Sequence, residues 1–227
     1  MRAEDKLTER EIQKGLAGVI KDGLATQAMM TFTGSIFLIA FALKLGASNT
    51  IIGLLAAIPL LSQLIQIPSI YLVEKFRVRK AICVYASVTS RMFWLLIALI
   101  PFLFDNTVGL IFLIMALFSY TIFAAISNCS WNSWMRDLIP SNHLGKFFSK
   151  RMRLAIALGI VLSLIAGFFI DEWGKIFPNH ALQGYSILFL MGFIAGMIGV
   201  YFISTIPEPR MIVENKIKFY KLILQPF

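Results

Sequence analysis

Val108-Gly-Leu-Ile-Phe-Leu-Ile-Met-Ala-Leu-Phe-Ser-Tyr-Thr-Ile-Phe-Ala-Ala-Ile126 contains no charged residue. A helical block of about 20 apolar residues matches the thickness of the hydrocarbon core of a bilayer, because each residue adds about 1.5 Å. The apolar residues are continuous, whereas a strand of a membrane barrel alternates polar with apolar residues. This stretch therefore predicts a transmembrane α-helix.

Five further blocks of this kind predict an all-α, polytopic membrane protein. The composition agrees, because 58% of the 227 residues are hydrophobic and 15% are charged, against about 25% charged in a soluble domain. We divide the chain into an N-terminal segment, residues 1–23, a six-helix bundle, residues 24–206, and a basic tail, residues 207–227. The six predicted spans are Leu24 to Leu43, Ile51 to Val73, Ala81 to Phe104, Val108 to Ile126, Leu154 to Ile170 and Tyr185 to Ile206.

Local signals refine this division. Thr8 and Glu11 have the spacing of a capping box, so the first helix is expected to begin near Leu7. Pro59 and Pro68 are expected to kink the second span. Small residues repeat every four positions in the last two spans, which favours close helix packing; they are Gly159, Ser163, Gly167, Gly192 and Gly196.

The distribution of basic residues predicts the orientation. Seventeen of the 21 Lys and Arg residues lie in the two tails and the second and fourth connections, without counting Lys21 next to the first span, whereas the odd-numbered connections hold Lys44 and Lys175. Basic residues concentrate on the cytoplasmic side of a membrane. We therefore expect a multi-pass protein of the cell membrane (inner or plasma) with both termini in the cytoplasm. Its net charge of +9 is explained by topology and by contact with lipid headgroups, not by nucleic acid.

No pattern of catalytic, cofactor-binding or metal-binding residues is present. Cys83 and Cys129 fall in or near spans, and His143 and His180 fall in loops without a second ligand at metal spacing. Phosphate-binding loops, zinc-binding His pairs and nucleophile elbows are absent from the sequence. We therefore expect neither an enzyme nor a cofactor.

The connection after the second span resembles a signature of the major facilitator superfamily of transporters. It reads Ile70-Tyr-Leu-Val-Glu74-Lys75-Phe-Arg77-Val-Arg79-Lys80, and the family pattern is G-x-x-x-D-R-x-G-R-R/K. Both glycine positions differ, since Ile70 and Arg77 occupy them. Three further segments resemble the family's outer turn, its fourth connection and the end of its sixth helix; they are Gly46 to Gly53, Trp134 to Arg151 and Pro207 to Arg210.

This resemblance implies a secondary transporter of a small solute, built from inverted three-helix repeats, with its site between two six-helix halves. The chain corresponds to the N-terminal half and ends in a basic, partly amphipathic stretch, residues 216–224, expected to be a linker helix. An interrupted gene product, an engineered fragment, and a half-transporter that pairs with a second half or as a homodimer are open alternatives. The alternative function is a non-transporting assembly factor or partner subunit.

Polar residues within the spans are the candidates for a transport cavity, because they are costly in hydrocarbon. Arg91 is expected near the midplane, facing the interior and not lipid, either in a structural contact or bound to an anionic solute. Because no acid lies at its depth on these boundaries, its partners are expected to be uncharged. Asp22 is expected at the cytoplasmic interface, paired with Lys21 or a loop base. The other cavity candidates are Gln27, Thr31, Gln63, Tyr120 and Asn128.

A conformational charge cluster is implied by the resemblance. It comprises Glu74, Lys75, Arg79, Lys80 and Asp137, with Asp137 as the partner of Arg79. In the family such a cluster stabilises one conformation of the transporter. The alternative interpretation is ordinary surface charge that sets topology.

Overall fold

The computed structural model describes residues 8–139 and 144–209, and the secondary structure within these ranges is helical. Turns of 3₁₀ helix cover Gln63–Ile65 and Pro178–His180. The predicted linker helix lies outside the described residues. The α-helices are α1 (Glu9–Phe32), α2 (Ser35–Lys44), α3 (Asn49–Ser62), α4 (Gln66–Phe76), α5 (Arg79–Leu103), α6 (Asn106–Leu138), α7 (Leu144–Ile176) and α8 (Ala181–Thr205).

These helices form six units that are long and apolar enough to cross a membrane. The first span is α1 with α2, the second is α3 with α4, and α5 to α8 are the third to the sixth. The prediction of an all-helical chain with six such spans is confirmed.

The first span begins as predicted but is not continuous. Thr8 caps α1 and forms the predicted capping box with Glu11. The helix is interrupted after Phe32, because Gly34 adopts an extended conformation and caps α2. The Thr33 hydroxyl donates a hydrogen bond to the Met29 carbonyl at 2.8 Å and so satisfies one carbonyl at the break. The predicted span from Leu24 to Leu43 is present, but it contains a break that its continuous apolar block did not indicate.

The second span is also interrupted, as the two prolines predicted. Its 3₁₀ turn, Gln63–Ile65, lies between Pro59 and Pro68. Pro68 has no N–H to donate to the carbonyl four residues earlier, which loosens the α-helical ladder at this turn. The Ser62 hydroxyl donates to the Pro59 carbonyl at 2.8 Å.

The helices of the fourth and fifth spans, α6 and α7, extend well beyond their predicted apolar blocks. Helix α6 continues past Ile126 to Leu138, and α7 begins at Leu144, ten residues before Leu154. The apolar pattern detects the part of a helix that lipid can cover, whereas residues 127–138 are helical but polar. This polar end is nevertheless packed, since Trp134 and Met135 are almost fully buried. The third and sixth spans agree with prediction to within four residues.

The spans pack in a curved row. Along the row, each span contacts the next in the order fifth, first, sixth, third, fourth, second. Trp94 of α5 and Phe189 of α8 pack with their ring centroids 5.5 Å apart, and Phe41 meets Phe189 edge-to-face. The fifth and second spans, at the two ends of the row, are the least buried.

Glycines allow close packing at some of the predicted positions. A Cβ on Gly192 would lie 2.5 Å from Thr33 Cγ2, and one on Gly196 would lie 2.7 Å from Met29 Sδ, so α8 approaches α1 at both. Gly159 of α7 similarly faces Gln27 of α1. Gly167 faces open space, so the prediction of a packing role is wrong there.

Candidate functional site

A polar cavity of about 460 Å³ opens between the spans. Its volume falls within the range of small-molecule sites, about 300–1,000 Å³. Three of its lining residues are charged: Asp22, Arg91 and Arg151. The other polar lining residues, which complete what we call the polar cavity, are Thr26, Ser62, Gln63, Ser87, Ser90, Tyr120, Thr121, Ser127, Asn128 and Trp131.

Arg91 is at the middle of α5, as its thirteenth residue of 25. It is 5% exposed and lines the polar cavity, so its predicted interior position is confirmed. Its Nη2 donates a long hydrogen bond, 3.4 Å, to the Thr26 hydroxyl, while its Nη1 has no partner among the described residues. The expectation of an uncharged hydrogen-bond partner is thus confirmed, although the partner is Thr26.

Asp22 differs from its prediction. It is 2% exposed and lies inside the bundle, not at its surface. Thr26, one turn later on α1, donates its hydroxyl to Asp22 Oδ1 at 3.2 Å, so Thr26 joins Arg91 to this carboxylate. The error arose because Asp22 precedes the apolar block, whereas α1 is already packed against α7 and α8 there.

Arg151 is the basic partner of Asp22. Its Nη2 lies 3.9 Å from Asp22 Oδ2, and its Nε donates to the Val19 carbonyl at 3.3 Å. Its guanidinium carbon lies 5.1 Å from the centre of the Trp131 ring, within the range of a cation–π contact. The predicted partner of Asp22 was Lys21 or a base in a loop; the partner is instead Arg151, which lies within α7.

Glycines make room for all three charged side chains. A Cβ on Gly196 would lie 2.9 Å from Arg91 Cδ, and one on Gly23 would lie 2.8 Å from Arg151 Cζ. A Cβ on Gly199 would lie 3.2 Å from Asp22 Oδ1. The three glycines, which have no side chain, therefore leave the space that the charged side chains occupy.

The remaining cavity candidates divide into two groups. Gln63, Tyr120 and Asn128 line the polar cavity. Gln27 instead packs against Gly159, and the Thr31 hydroxyl donates to the Gln27 carbonyl at 2.9 Å, so neither lines it. The two residues lie one turn apart on α1, and Gln27 faces α7 instead of the cavity.

Hydroxyl groups on α5 and α6 are hydrogen-bonded to each other in the wall of the polar cavity. The hydroxyls of Ser87 and Ser127 lie 2.6 Å apart, and Ser127 also donates to the Cys83 carbonyl at 3.3 Å. These groups can donate to or accept from a bound molecule after a rotation of one bond. No feature of the sequence singled out these serines, since single serines are common in membrane helices.

A second charged group lies where α5 begins and α6 ends. The side chain of Arg79 is 1% exposed and forms an ion pair with Asp137, as predicted. Its other contacts are the Ser133 carbonyl at 3.1 Å, the Pro209 carbonyl at 2.7 Å and the Glu208 carboxylate at 3.7 Å. The interpretation of Arg79 as surface charge is therefore wrong. We call Arg79, Asp137 and Glu208 the Arg79 cluster.

Two other predicted members, Glu74 and Lys75, form no ion pair with this cluster in the described ranges. Lys75 is exposed, with its Nζ 5.7 Å from the centre of the Phe76 ring. Glu74 has no ion pair within residues 8–139 and 144–209. Lys80 is half-buried beside Arg79 in α5. Glu208 takes the place expected for Glu74, and it is 4% exposed.

Comparison with known proteins adds no identity to this geometry. No protein-family model, no curated protein and no solved structure matches the chain. The site must therefore be interpreted from its own chemistry. Among the described residues, no group of His, Cys, Asp and Glu could hold a metal ion; the polar cavity offers guanidinium, hydroxyl, amide and carboxylate groups for binding.

Proposed function

We propose that the chain is the N-terminal half of a secondary transporter of the major facilitator type, which moves a small solute across the cell membrane. The polar cavity is the observation that carries this proposal. Charged groups inside an apolar bundle are costly, and in membrane proteins they mark solute or ion pathways. A purely structural bundle of six apolar helices has no need of a buried arginine, a half-buried arginine and a buried aspartate around one cavity.

The order of the spans supports a repeat of three helices. The row runs fifth, first, sixth, third, fourth, second. If the first span is exchanged with the fourth, the second with the fifth and the third with the sixth, the row becomes second, fourth, third, sixth, first, fifth, which is the original order reversed. Two inverted three-helix repeats have this symmetry. In the same row, the second and fifth spans occupy equivalent ends, and both are poorly buried.

Those two ends support the presence of a second six-helix body. Large apolar side chains are exposed along both, including Leu60 and Leu64 of the second span and Ile160 and Leu164 of the fifth. Lipid can cover such surfaces, but a second half or a second copy of the chain would cover them and enclose the polar cavity. By the positive-inside rule, we expect both termini of this six-helix body in the cytoplasm.

The Arg79 cluster supports the same assignment. Arg79 and Asp137 come from the two segments that resemble family motifs, and Glu208 comes from a third. The Trp134 indole also donates to the Pro207 carbonyl at 3.0 Å, so the end of the sixth span is bound to the ends of the third and fourth. A transporter that rocks one half against another needs such a defined contact between helices in at least one conformation.

Solute uptake into liposomes tests the proposal without a choice of substrate. The purified chain, with Cys83→Ser and Cys129→Ser, is reconstituted, and a mixture of charged and uncharged metabolites is added outside. Mass spectrometry of the washed liposomes should find at least one solute that enters only when protein is present. Native mass spectrometry of the same sample should find two chains per particle.

Blocking the cavity provides the control. A bulky thiol reagent attached to Asn128→Cys, which lines the cavity, should abolish uptake. The same reagent on Arg153→Cys, which is exposed on α7 outside the lining, should leave it unchanged. Uptake that is absent in a properly folded dimer, or that ignores the Asn128 label, would contradict transport through this cavity and favour a non-transporting role.

A further inference from the structure

The charges of the polar cavity do not balance. Two guanidinium groups and one carboxylate line it, which leaves one positive charge in excess. Arginine stays protonated, so desolvation cannot neutralise it as it can a buried lysine. Asp22 serves Arg151 directly, at 3.9 Å, and reaches Arg91 through Thr26. One carboxylate therefore serves two guanidinium groups.

The hydrogen-bonding groups are unbalanced in the same direction. Arg91 Nη1 and Trp131 Nε1 are buried donors without an acceptor among the described residues. Buried donors of this kind are normally hydrogen-bonded. Within the same part of the chain, the hydrogen bonds of the Arg151 guanidinium are limited to the Val19 carbonyl. The cavity thus combines an excess positive charge with hydrogen-bond donors that have no acceptor. A negatively charged ligand with several acceptor atoms would supply the missing charge and the missing acceptors.

The positions of both arginines are built into the backbone. Gly196 admits the Arg91 side chain and Gly23 admits that of Arg151, and a Cβ at either glycine would overlap the arginine it faces. Arg151 is further held over the Trp131 ring. The helices therefore leave space for both guanidinium groups at the cavity, where Arg91 is buried and Arg151 is half-buried.

We propose that the polar cavity binds a small anion, and that the anion's carboxylate or phosphate group accepts hydrogen bonds from Arg91 and Arg151. Guanidinium groups bind such oxygens in pairs, with charge-assisted hydrogen bonds. Asp22 acts as an internal competitor, which the anion displaces from Arg151. The inference rests on the proposed function in one respect, since it names the class of solute that is carried.

Binding is measured on the whole chain in nanodiscs of phosphatidylcholine, which carries no net charge. Sodium succinate or sodium phosphate replaces sodium chloride at constant ionic strength, and tryptophan emission is recorded, because Trp131 lines the cavity and contacts Arg151. We expect a saturable change. Arg91→Leu and Arg151→Leu should each raise the dissociation constant at least about tenfold, and Arg91→Lys should restore part of the loss because it keeps charge but not paired donors.

Two further variants separate anion binding from general damage. Arg153→Leu removes the same charge from α7 outside the cavity, and the dissociation constant should stay within about twofold. Asp22→Asn keeps the shape and the Thr26 contact but removes the competing carboxylate, so anions should bind more tightly. Damage to the fold would weaken binding instead. No saturable signal in the wild type, an unchanged constant in Arg91→Leu, or weaker binding in Asp22→Asn would each overturn the proposal.

Nanodiscs that contain phosphatidylglycerol test the other source of the same chemistry. If the anion is a solute, added succinate or phosphate should give the same response in these discs. A response to the lipid itself that requires Arg91 and Arg151, with none to the soluble anions, would overturn the assignment to a solute and assign the site to a headgroup. The proposed function and this inference can fail independently. Anion binding without solute uptake refutes the proposed function alone. Uptake of uncharged solutes without anion binding refutes this inference alone.

Discussion

Replacing Arg79 by leucine tests whether the Arg79 cluster holds the bundle together. The guanidinium is 1% exposed and donates to the Ser133 carbonyl, the Asp137 carboxylate and the Pro209 carbonyl. Its loss leaves Glu208, whose side chain is 3% exposed, as an acid without its cation. Leucine fills part of the space but satisfies none of these acceptors.

The expected loss follows from the exposure of each partner. Removing one member of a buried ion pair costs about 3–5 kcal/mol, because the other charge stays buried. Glu208 fits that case, although its carboxylate is 3.7 Å from Arg79 Nε. The Asp137 side chain is 37% exposed, so water replaces much of what it loses, and an exposed pair contributes at most about 1 kcal/mol. We therefore expect Arg79→Leu to lower the free energy of unfolding by about 3 kcal/mol.

Unfolding by sodium dodecyl sulfate in mixed micelles, followed by far-ultraviolet circular dichroism, measures this loss. The matched control is Lys75→Leu, which removes a positive charge four residues earlier from an exposed site, and it should cost less than about 0.5 kcal/mol. In a double-mutant cycle, Arg79→Leu and Asp137→Ala should couple by about 1 kcal/mol, because the two groups are in contact. Equal losses for Arg79→Leu and Lys75→Leu, or additive effects with Asp137→Ala, would refute this account of the cluster.

The remaining predictions concern helix packing and topology. Gly192→Ala should destabilise the bundle by about 1–3 kcal/mol in the same unfolding assay, because its Cβ would overlap Thr33 Cγ2. Gly167 faces open space, so Gly167→Ala should be neutral or slightly stabilising. Equal effects of the two substitutions would contradict the packing of α8 on α1. In a cysteine-free background, Lys175→Cys should react with an impermeant thiol reagent added to intact cells, whereas Lys75→Cys should react only after lysis. The reason is that the charge distribution predicts Lys175 outside the cell and Lys75 inside it. The reverse labelling pattern would show that the predicted orientation is wrong.

The sequence predicted the spans well because one physical quantity, continuous apolar length, determines them. The third span differs from its prediction by at most two residues at each end, Arg79–Leu103 against Ala81 to Phe104. The errors lie where a helix leaves hydrocarbon and stays helical, as in residues 127–138 of α6. There the packing of Trp134, and not hydropathy, decides the length of the helix. The break at Gly34 was missed because the apolar block continues across it.

The site was predicted only where a polar residue interrupts an apolar block. Gln63, Arg91 and Tyr120 stand out in that way, and all three line the polar cavity. Asp22 and Arg151 flank their apolar blocks and were assigned to the interface or a connection. A signal did exist, since Gly23 follows Asp22 directly and Arg151 occupies the space it leaves. Which charge a given glycine accommodates, however, depends on contacts between helices that are distant in sequence.

The third span contributes one arginine to the polar cavity and one to the Arg79 cluster. Arg79 begins α5 and Arg91 is at its middle, twelve residues later, which is about 18 Å along one helix. Arg79 binds α5 to α6 and to the segment after α8, whereas Arg91 binds it to α1 through Thr26. A shift of α5 against its neighbours therefore changes the contacts of both arginines at once. A ligand bound at Arg91, as proposed above, would therefore act on the same helix that carries Arg79 of the Arg79 cluster.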